Sequence, residues 1–302
     1  MPKDLVTLLD YSEKELLSLL DLADELREQI HAGTLAQHLK GKSIALIWDA
    51  GGFRNRVAFE LGIAAMGGIA VQVPGSLDER EPIEDVTAYL CNWFDAIVSR
   101  TRFHSHMQRL ASAASVPVIN ARTDHNHPCE LLGDLAYIRA RRGRLDDLKV
   151  AFVGEATNLC HPWFEAAARL PIEVVQVCPE GYFINESLLS EMKQGAVGKL
   201  SVTSDFAGGL KDANVVYTDC WPSHHTDEDY QHVKGLFSRY QITSDSLKTA
   251  ASDVLFLPCP PVQRGEEVSE DAMRSAACCV YEAKEYLLHA QNAVLANLVS
   301  SA

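Results

Sequence analysis

The sequence predicts an α/β protein built as two doubly wound parallel-sheet domains. Three observations predict it. Short apolar runs alternate with amphipathic helical stretches, the pattern of parallel strands covered by helices on both faces. That alternation restarts after a basic stretch, Arg139, Arg141, Arg142 and Arg144, which reads as a solvated helix end and linker. The 302 residues, 47% hydrophobic and 23% charged, are enough for two buried cores and are ordinary for a globular chain. The domains are expected at 1–143 and 144–272, followed by a long final helix.

The first helix opens on Ser12-Glu-Lys-Glu15, a capping box in which serine and glutamate each satisfy a backbone N–H. Leu16, Leu19, Leu20, Ala23, Leu26 and Ile30 follow at helical spacing, and Gly33 supplies the stop. Strands are then expected at 43–48, 70–73, 96–99 and 116–119, with helices at about 54–66, 82–92, 104–114 and 127–140. After the basic stretch, strands fit 150–153, 173–178, 199–202, 215–218 and 254–257, and a helix at about 273–299 closes the pattern.

A formal charge of −14 argues against nucleic acid as the main partner, because such binders rely on basic surface. No apolar run approaches the ~20 residues needed to span a bilayer, and no secretory signal opens the chain. Eight scattered cysteines without a Cys-x-x-Cys pair read as reduced thiols of a cytoplasmic protein and give no structural zinc site. Val150-Ala-Phe-Val-Gly-Glu155 lacks Gly-x-Gly-x-x-Gly, which excludes a nicotinamide site.

Three places carry chemistry. Residues 48–55 run from a strand end through Gly51-Gly52 into a helix, whose unpaired N–H groups and dipole suit a phosphate. Arg54 adds a charge-assisted fork there; taken alone, a tight turn with a surface arginine fits equally well. His127-Pro128 opens a helix, a common role for that pair, since proline suits the first turn. Asp219, at a strand end, suits an ammonium, and Asn158 suits an amino or carboxylate group.

Four segments gather these places: Trp48-Asp-Ala-Gly-Gly-Phe-Arg-Asn-Arg-Val-Ala-Phe-Glu60, His127-Pro-Cys-Glu130, Asp219-Cys-Trp-Pro-Ser223 and Pro258-Cys-Pro-Pro-Val-Gln-Arg-Gly-Glu-Glu-Val268. Their order and spacing resemble the ornithine branch of the aspartate/ornithine carbamoyltransferase family, over about residues 5–300. The resemblance implies transfer of a carbamoyl group from carbamoyl phosphate to a primary amine of an amino acid or related acceptor, with no metal and no organic cofactor. It also implies that the final helix, about 273–302, returns to pack on the first domain. That domain would bind carbamoyl phosphate, and the second would bind the acceptor. The family's phosphate motif Ser-Thr-Arg-Thr-Arg falls on Gly52, Phe53, Arg54, Asn55 and Arg56: Arg54 keeps the phosphate role, and Arg56 reads as a structural ion-pair residue. Arg100 and His127 match the donors that polarise the carbamoyl oxygen. Asp219 and Cys259 match residues that orient the amine, while Asn158 and Ser223 match those that grip the α-amino-acid end. Homotrimers, or multiples of them, are implied too, with a neighbour's 74–80 loop entering each site and Ser76 where many ornithine enzymes have glutamine.

Departures from the family pattern bear on the substrates. Glu130 stands where the family has glutamine, and Leu287 matches a lost arginine, so the pocket becomes about two charges less positive. Unscreened negative charge beside a dianionic phosphate tends to keep such a glutamate protonated. Either the donor is bound more weakly, or it is not carbamoyl phosphate. The usual Ser-Met-Gly becomes Ser223-His224-His225, where His224 either contacts an altered acceptor or lies on a solvated loop. Adjacent histidines do not easily converge on one metal ion. Arg264-Gly-Glu-Glu-Val268 fits the family and reads as structural. The alternative function is an inactive family member serving as a binding, regulatory or assembly subunit.

Overall fold

The computed structural model describes residues 2–49, 51–222, 226 and 228–300. Residues 1–143 with 284–302 form one compact unit, and 144–283 form a second.

In the first unit, Ser12 and Glu15 close the capping box of α1 (Glu13–Ala32), and Gly33 ends it in the left-handed conformation. β1 (Ser43–Trp48), α2 (Phe53–Ala65), β2 (Ile69–Val73), α3 (Ile83–Trp93), β3 (Ala96–Arg100), α4 (His104–Ala113), β4 (Val118–Arg122) and α5 (Pro128–Arg142) then alternate. The four strands form a parallel sheet in the order β2-β1-β3-β4. Ile44 to Ile47 of β1 are buried, as a central parallel strand with both faces covered requires.

Two expectations need correction here. β4 runs to Arg122 rather than ending at 119, because the N-terminal segment lies alongside it. Leu5 N donates to Val118 O at 2.9 Å, Asn120 N to Leu5 O at 2.8 Å and Asn120 Nδ2 to Val6 O at 3.0 Å. Those bonds pair the backbone and the Nδ2 of a buried asparagine that apolar periodicity does not mark. Nor is the basic stretch wholly solvated: Arg139 bridges α5 to α1 through Asp21 at 2.7 Å and Asp24 at 2.6 Å.

The second unit contains β5 (Lys149–Val153), α6 (Cys160–Arg169), β6 (Glu173–Val177), α7 (Glu186–Lys193), β7 (Lys199–Thr203), α8 (Phe206–Leu210), β8 (Val215–Thr218), α9 (Tyr230–Phe237), α10 (Ser244–Leu247), β9 (Leu255–Pro258) and α11 (Glu270–Met273). Its sheet is parallel, in the order β7-β6-β5-β8-β9. Val153, Val177, Val216, Tyr240 and Phe256 anchor a core on one side of it.

The final helix, α12 (Val280–Ser300), starts later than about 273. Phe256 N donates to Ala277 O at 2.7 Å and Cys279 N to Phe256 O at 3.1 Å, so the chain before it runs extended along β9. From Lys284 onward α12 belongs to the first unit. Two glycines let it approach: a Cβ on Gly62 would lie 1.9 Å from Asn292 Oδ1, and one on Gly133 would lie 2.9 Å from Leu287 Cα. Among the described residues, no helix is long and apolar enough to cross a membrane.

Candidate active site

In an open parallel sheet, ligands bind at the carboxyl ends of strands, where the strand order reverses. In the first unit that point lies between β1 and β3. Gly52 precedes α2 with φ of 65°, and no side chain caps the helix there. A Cβ on Gly52 would fall 2.5 Å from Arg100 Cζ, so glycine is what allows this guanidinium to lie over the first turn of α2. Asp49 fixes the loop after β3: its Oδ2 accepts from Thr101 Oγ1 at 2.9 Å and from Arg102 N at 3.0 Å. The Arg54 guanidinium stacks 4.7 Å from the exposed Phe53 ring, and it makes no ion pair among the described residues. Arg56 pairs with Glu60 at 2.8 Å.

Asn55, His127 and Glu130 form a buried cluster beside this turn. Asn55 Nδ2 donates to Glu130 Oε2 at 3.0 Å and lies 3.3 Å from His127 Nε2. Asn55 Oδ1 accepts from Gln291 Nε2 of α12 at 2.6 Å. The expectation of an unscreened Glu130 is overturned: Lys284 Nζ sits 2.6 Å from Glu130 Oε1 and 2.9 Å from Asp134 Oδ1. Burial alone would push the Glu130 carboxyl up. The charge and hydrogen bond of the Lys284 ammonium, together with the Asn55 hydrogen bond, offset it and hold the carboxyl below its usual range. Lys284 lies one turn before Leu287, on the same side of the helix, so an i−3 search around the missing arginine would have found it.

That charge has a local consequence. An ionised Glu130 only accepts, so it fixes the Asn55 amide with Nδ2 toward itself and toward His127. His127 Nε2 then accepts, and the ring proton resides on Nδ1, an assignment made from the network. Burial, with Arg100, Arg122 and Lys284 adding to it against Glu130, depresses His127 to about 3. At neutral pH it is an uncharged ring whose Nδ1 is buried and has no protein partner among the described residues.

In the second unit the reversal lies between β5 and β8. Asp219 follows β8, and its Oδ1 accepts from Cys220 N at 2.9 Å. Cys259 N donates to Thr218 O at 2.8 Å, which places Cys259 beside the same strand end. A Cβ on Gly154, after β5, would lie 3.9 Å from Asp219 N, and half-buried Asn158 sits on the turn leading to α6. The structure thus gathers Asp219 and Cys259 around one strand end, with the segment that carries Asn158 close by. Ser223 and His224 lie outside the described residues.

Glu267, set aside in the sequence as structural, belongs to this region. It is buried, its Oε1 accepts from Gln263 N at 2.5 Å, and burial together with the charges of Asp219 and Glu266 raises it to about 7 despite its backbone hydrogen bonds. Burial also pushes the Cys160, Cys178 and Cys220 thiols up, which leaves them protonated and poorly nucleophilic at neutral pH.

Comparison with known proteins identifies the family. Residues 3–140 match the aspartate/ornithine carbamoyltransferase carbamoyl-P binding domain, and residues 146–298 match the Asp/Orn binding domain of the same family. An ornithine carbamoyltransferase of Oceanobacillus iheyensis is 35% identical over 306 residues, covering 99% of this chain and 94% of that protein. One from Anoxybacillus flavithermus is 36% identical over 303 residues, covering 98% and 96%. The solved ornithine carbamoyltransferase from Pyrococcus furiosus superposes with a TM-score of 0.93 at 34% identity, covering 97% of this chain and 96% of that one. The chain belongs to the aspartate/ornithine carbamoyltransferase family.

Proposed function

We propose that the protein moves the carbamoyl group of carbamoyl phosphate to the side-chain amine of ornithine or of a closely related amino acid. The observation that carries this reading is the group at the β1/β3 reversal: an uncapped helix start, the Arg54 and Arg100 guanidiniums, and a neutral His127 whose buried Nδ1 has no hydrogen-bond partner among the described residues. The first unit would hold the donor and the second the acceptor. Arg54 and the α2 N–H groups bind the phosphate, and Gly52 gives the backbone close access to it. Phe53 offers the phosphate its backbone N–H and keeps its ring under Arg54.

In the reaction a neutral amine attacks the carbamoyl carbon. The new N–C bond forms, the C–O bond to phosphate breaks, and the departing phosphate takes the amine proton. Negative charge that builds on the carbamoyl oxygen is met by the His127 Nδ1–H and by Arg100, both in place before the charge appears. Glu130 accepts from the carbamoyl NH2 while Lys284 neutralises it, and Asn55 keeps the His127 tautomer. Asp219 and Cys259 orient the amine, and Asn158, Ser223 and His224 contact the amino-acid end. Positioning and electrostatics, without a covalent intermediate, supply the rate.

A homotrimer fits the first unit's surface. Phe53, Val57 and Leu61 are 65%, 45% and 58% exposed on successive turns of α2, beside the exposed Ile69 and Val71 of edge strand β2. A cytoplasmic location fits the eight cysteines, which are thiols. The deciding experiment is calorimetric titration with fresh carbamoyl phosphate, followed by an assay for ureido product with ornithine. Saturable binding that Arg54→Ala abolishes, together with product formation, supports the proposal. No binding by folded protein overturns it.

A further inference from the structure

Away from the residues above, one trio of metal-ligating side chains converges among the described residues. His31, in the last turn of α1, and Glu285 and His289, one turn apart on α12, each offer a ligand atom, all within 4.8 Å of one another. We propose that His31, Glu285 and His289 form a divalent transition-metal site that staples the last helix to the first.

The spacing supports it. His31 Nε2 is 3.2 Å and His289 Nε2 is 3.5 Å from Glu285 Oε1. Ligand atoms roughly 2.0–2.2 Å from a tetrahedral zinc lie roughly 3.3–3.6 Å apart, so two of the three edges are close to their bound lengths. The third closes through His31, whose exposed side chain is free to turn, whereas His289 is held by burial at 3% exposure. Two imidazoles and one carboxylate suit zinc and its first-row neighbours rather than magnesium or calcium. Solvent reaches Glu285 and His31, which leaves room for water at the fourth position.

One cation competes. Arg27 Nε lies 3.0 Å from the same Glu285 oxygen. Its guanidinium also rests 4.9 Å from the Tyr286 ring, a contact it keeps when the carboxylate turns to a metal. The negative end of the α1 dipole lies at His31 and offsets part of the repulsion. The site bears on the donor region through α12: Lys284 and Gln291, neighbours of these ligands in the helix, are the residues that reach Glu130 and Asn55. A metal would therefore fix the helix that braces the His127 network.

The test uses the full chain stripped of metal and titrated calorimetrically with zinc chloride, with cobalt(II) as a spectroscopic probe. One equivalent of zinc is expected to bind and raise Tm. His31→Ala is expected to fold normally because the side chain is exposed. It and Glu285→Gln should each weaken binding at least about tenfold, and the Tm gain should disappear. Absence of saturable zinc binding overturns the site. So does binding that survives His31→Ala, or a cobalt spectrum with thiolate charge-transfer bands, which puts the metal on cysteines.

Discussion

At the scale of single residues, the donor region shows how one charge propagates. Glu130 replaces a neutral partner, Lys284 compensates it, and the resulting carboxylate orients Asn55 and through it the His127 tautomer. Lys284→Met removes the cation between Glu130 and Asp134, and should cost about 3–5 kcal/mol in urea unfolding because two buried carboxylates lose their partner. Glu130→Gln should be far milder: the amide keeps the Asn55 contact, Lys284 keeps Asp134, and carbamoyl phosphate should bind more tightly as a negative charge leaves the pocket. Calorimetry on the two variants checks both directions. Glu267 makes a separate pH prediction. Its folded value of about 7 lies above the ordinary 4.5, so the native state holds a proton that the unfolded chain releases first. Stability from this group is complete below pH 4.5 and falls as pH rises to about 7. Glu267→Gln keeps the acceptor for Gln263 N, and should flatten that slope and gain on the order of 2 kcal/mol at pH 8. Motif spacing in the sequence singled out Arg54, Arg100, His127, Asp219 and Cys259 as candidates. Lys284 was missed although it stands one helical turn before Leu287, and Glu267 was not legible, since a glutamate inside a well-matched motif looks ordinary until burial is known.

At the scale of elements, strand and helix periodicity located every strand of both sheets to within a few residues, because central parallel strands are apolar on both faces. It failed where backbone pairing, not side-chain pattern, decides the conformation. β4 extends through Asn120 because Leu5 pairs with it, and α12 starts late because residues 277–279 run along β9. Short helices such as α8 and α10 escaped because a single turn shows no period. The packing of α12 depends on two glycines. A methyl on Gly62 would fall 1.9 Å from Oδ1 of the fully buried Asn292, and one on Gly133 meets the Leu287 backbone. Gly133→Ala and Gly62→Ala should therefore each destabilise by about 1–3 kcal/mol in thermal or urea unfolding.

At the scale of the whole molecule, the exposed stripe of Phe53, Val57 and Leu61 is large for a surface that meets only water. Leu61→Lys should leave the fold intact and convert a trimer to monomers in analytical ultracentrifugation; a native protein that sediments as a monomer would remove the basis for a trimer. The return of α12 to the first unit has one more consequence, for synthesis of the chain on the ribosome. Residues 1–143 emerge first, yet the Lys284 that neutralises Glu130 and the Gln291 that anchors Asn55 are translated only after the whole second unit. Vectorial folding, N-terminal domain first, cannot finish here. The nascent first unit must wait with a buried acidic pair uncompensated, and a polypeptide stalled or clipped before residue 284 would carry no competent donor site. Translation through the second unit is thereby checked by the protein's own architecture.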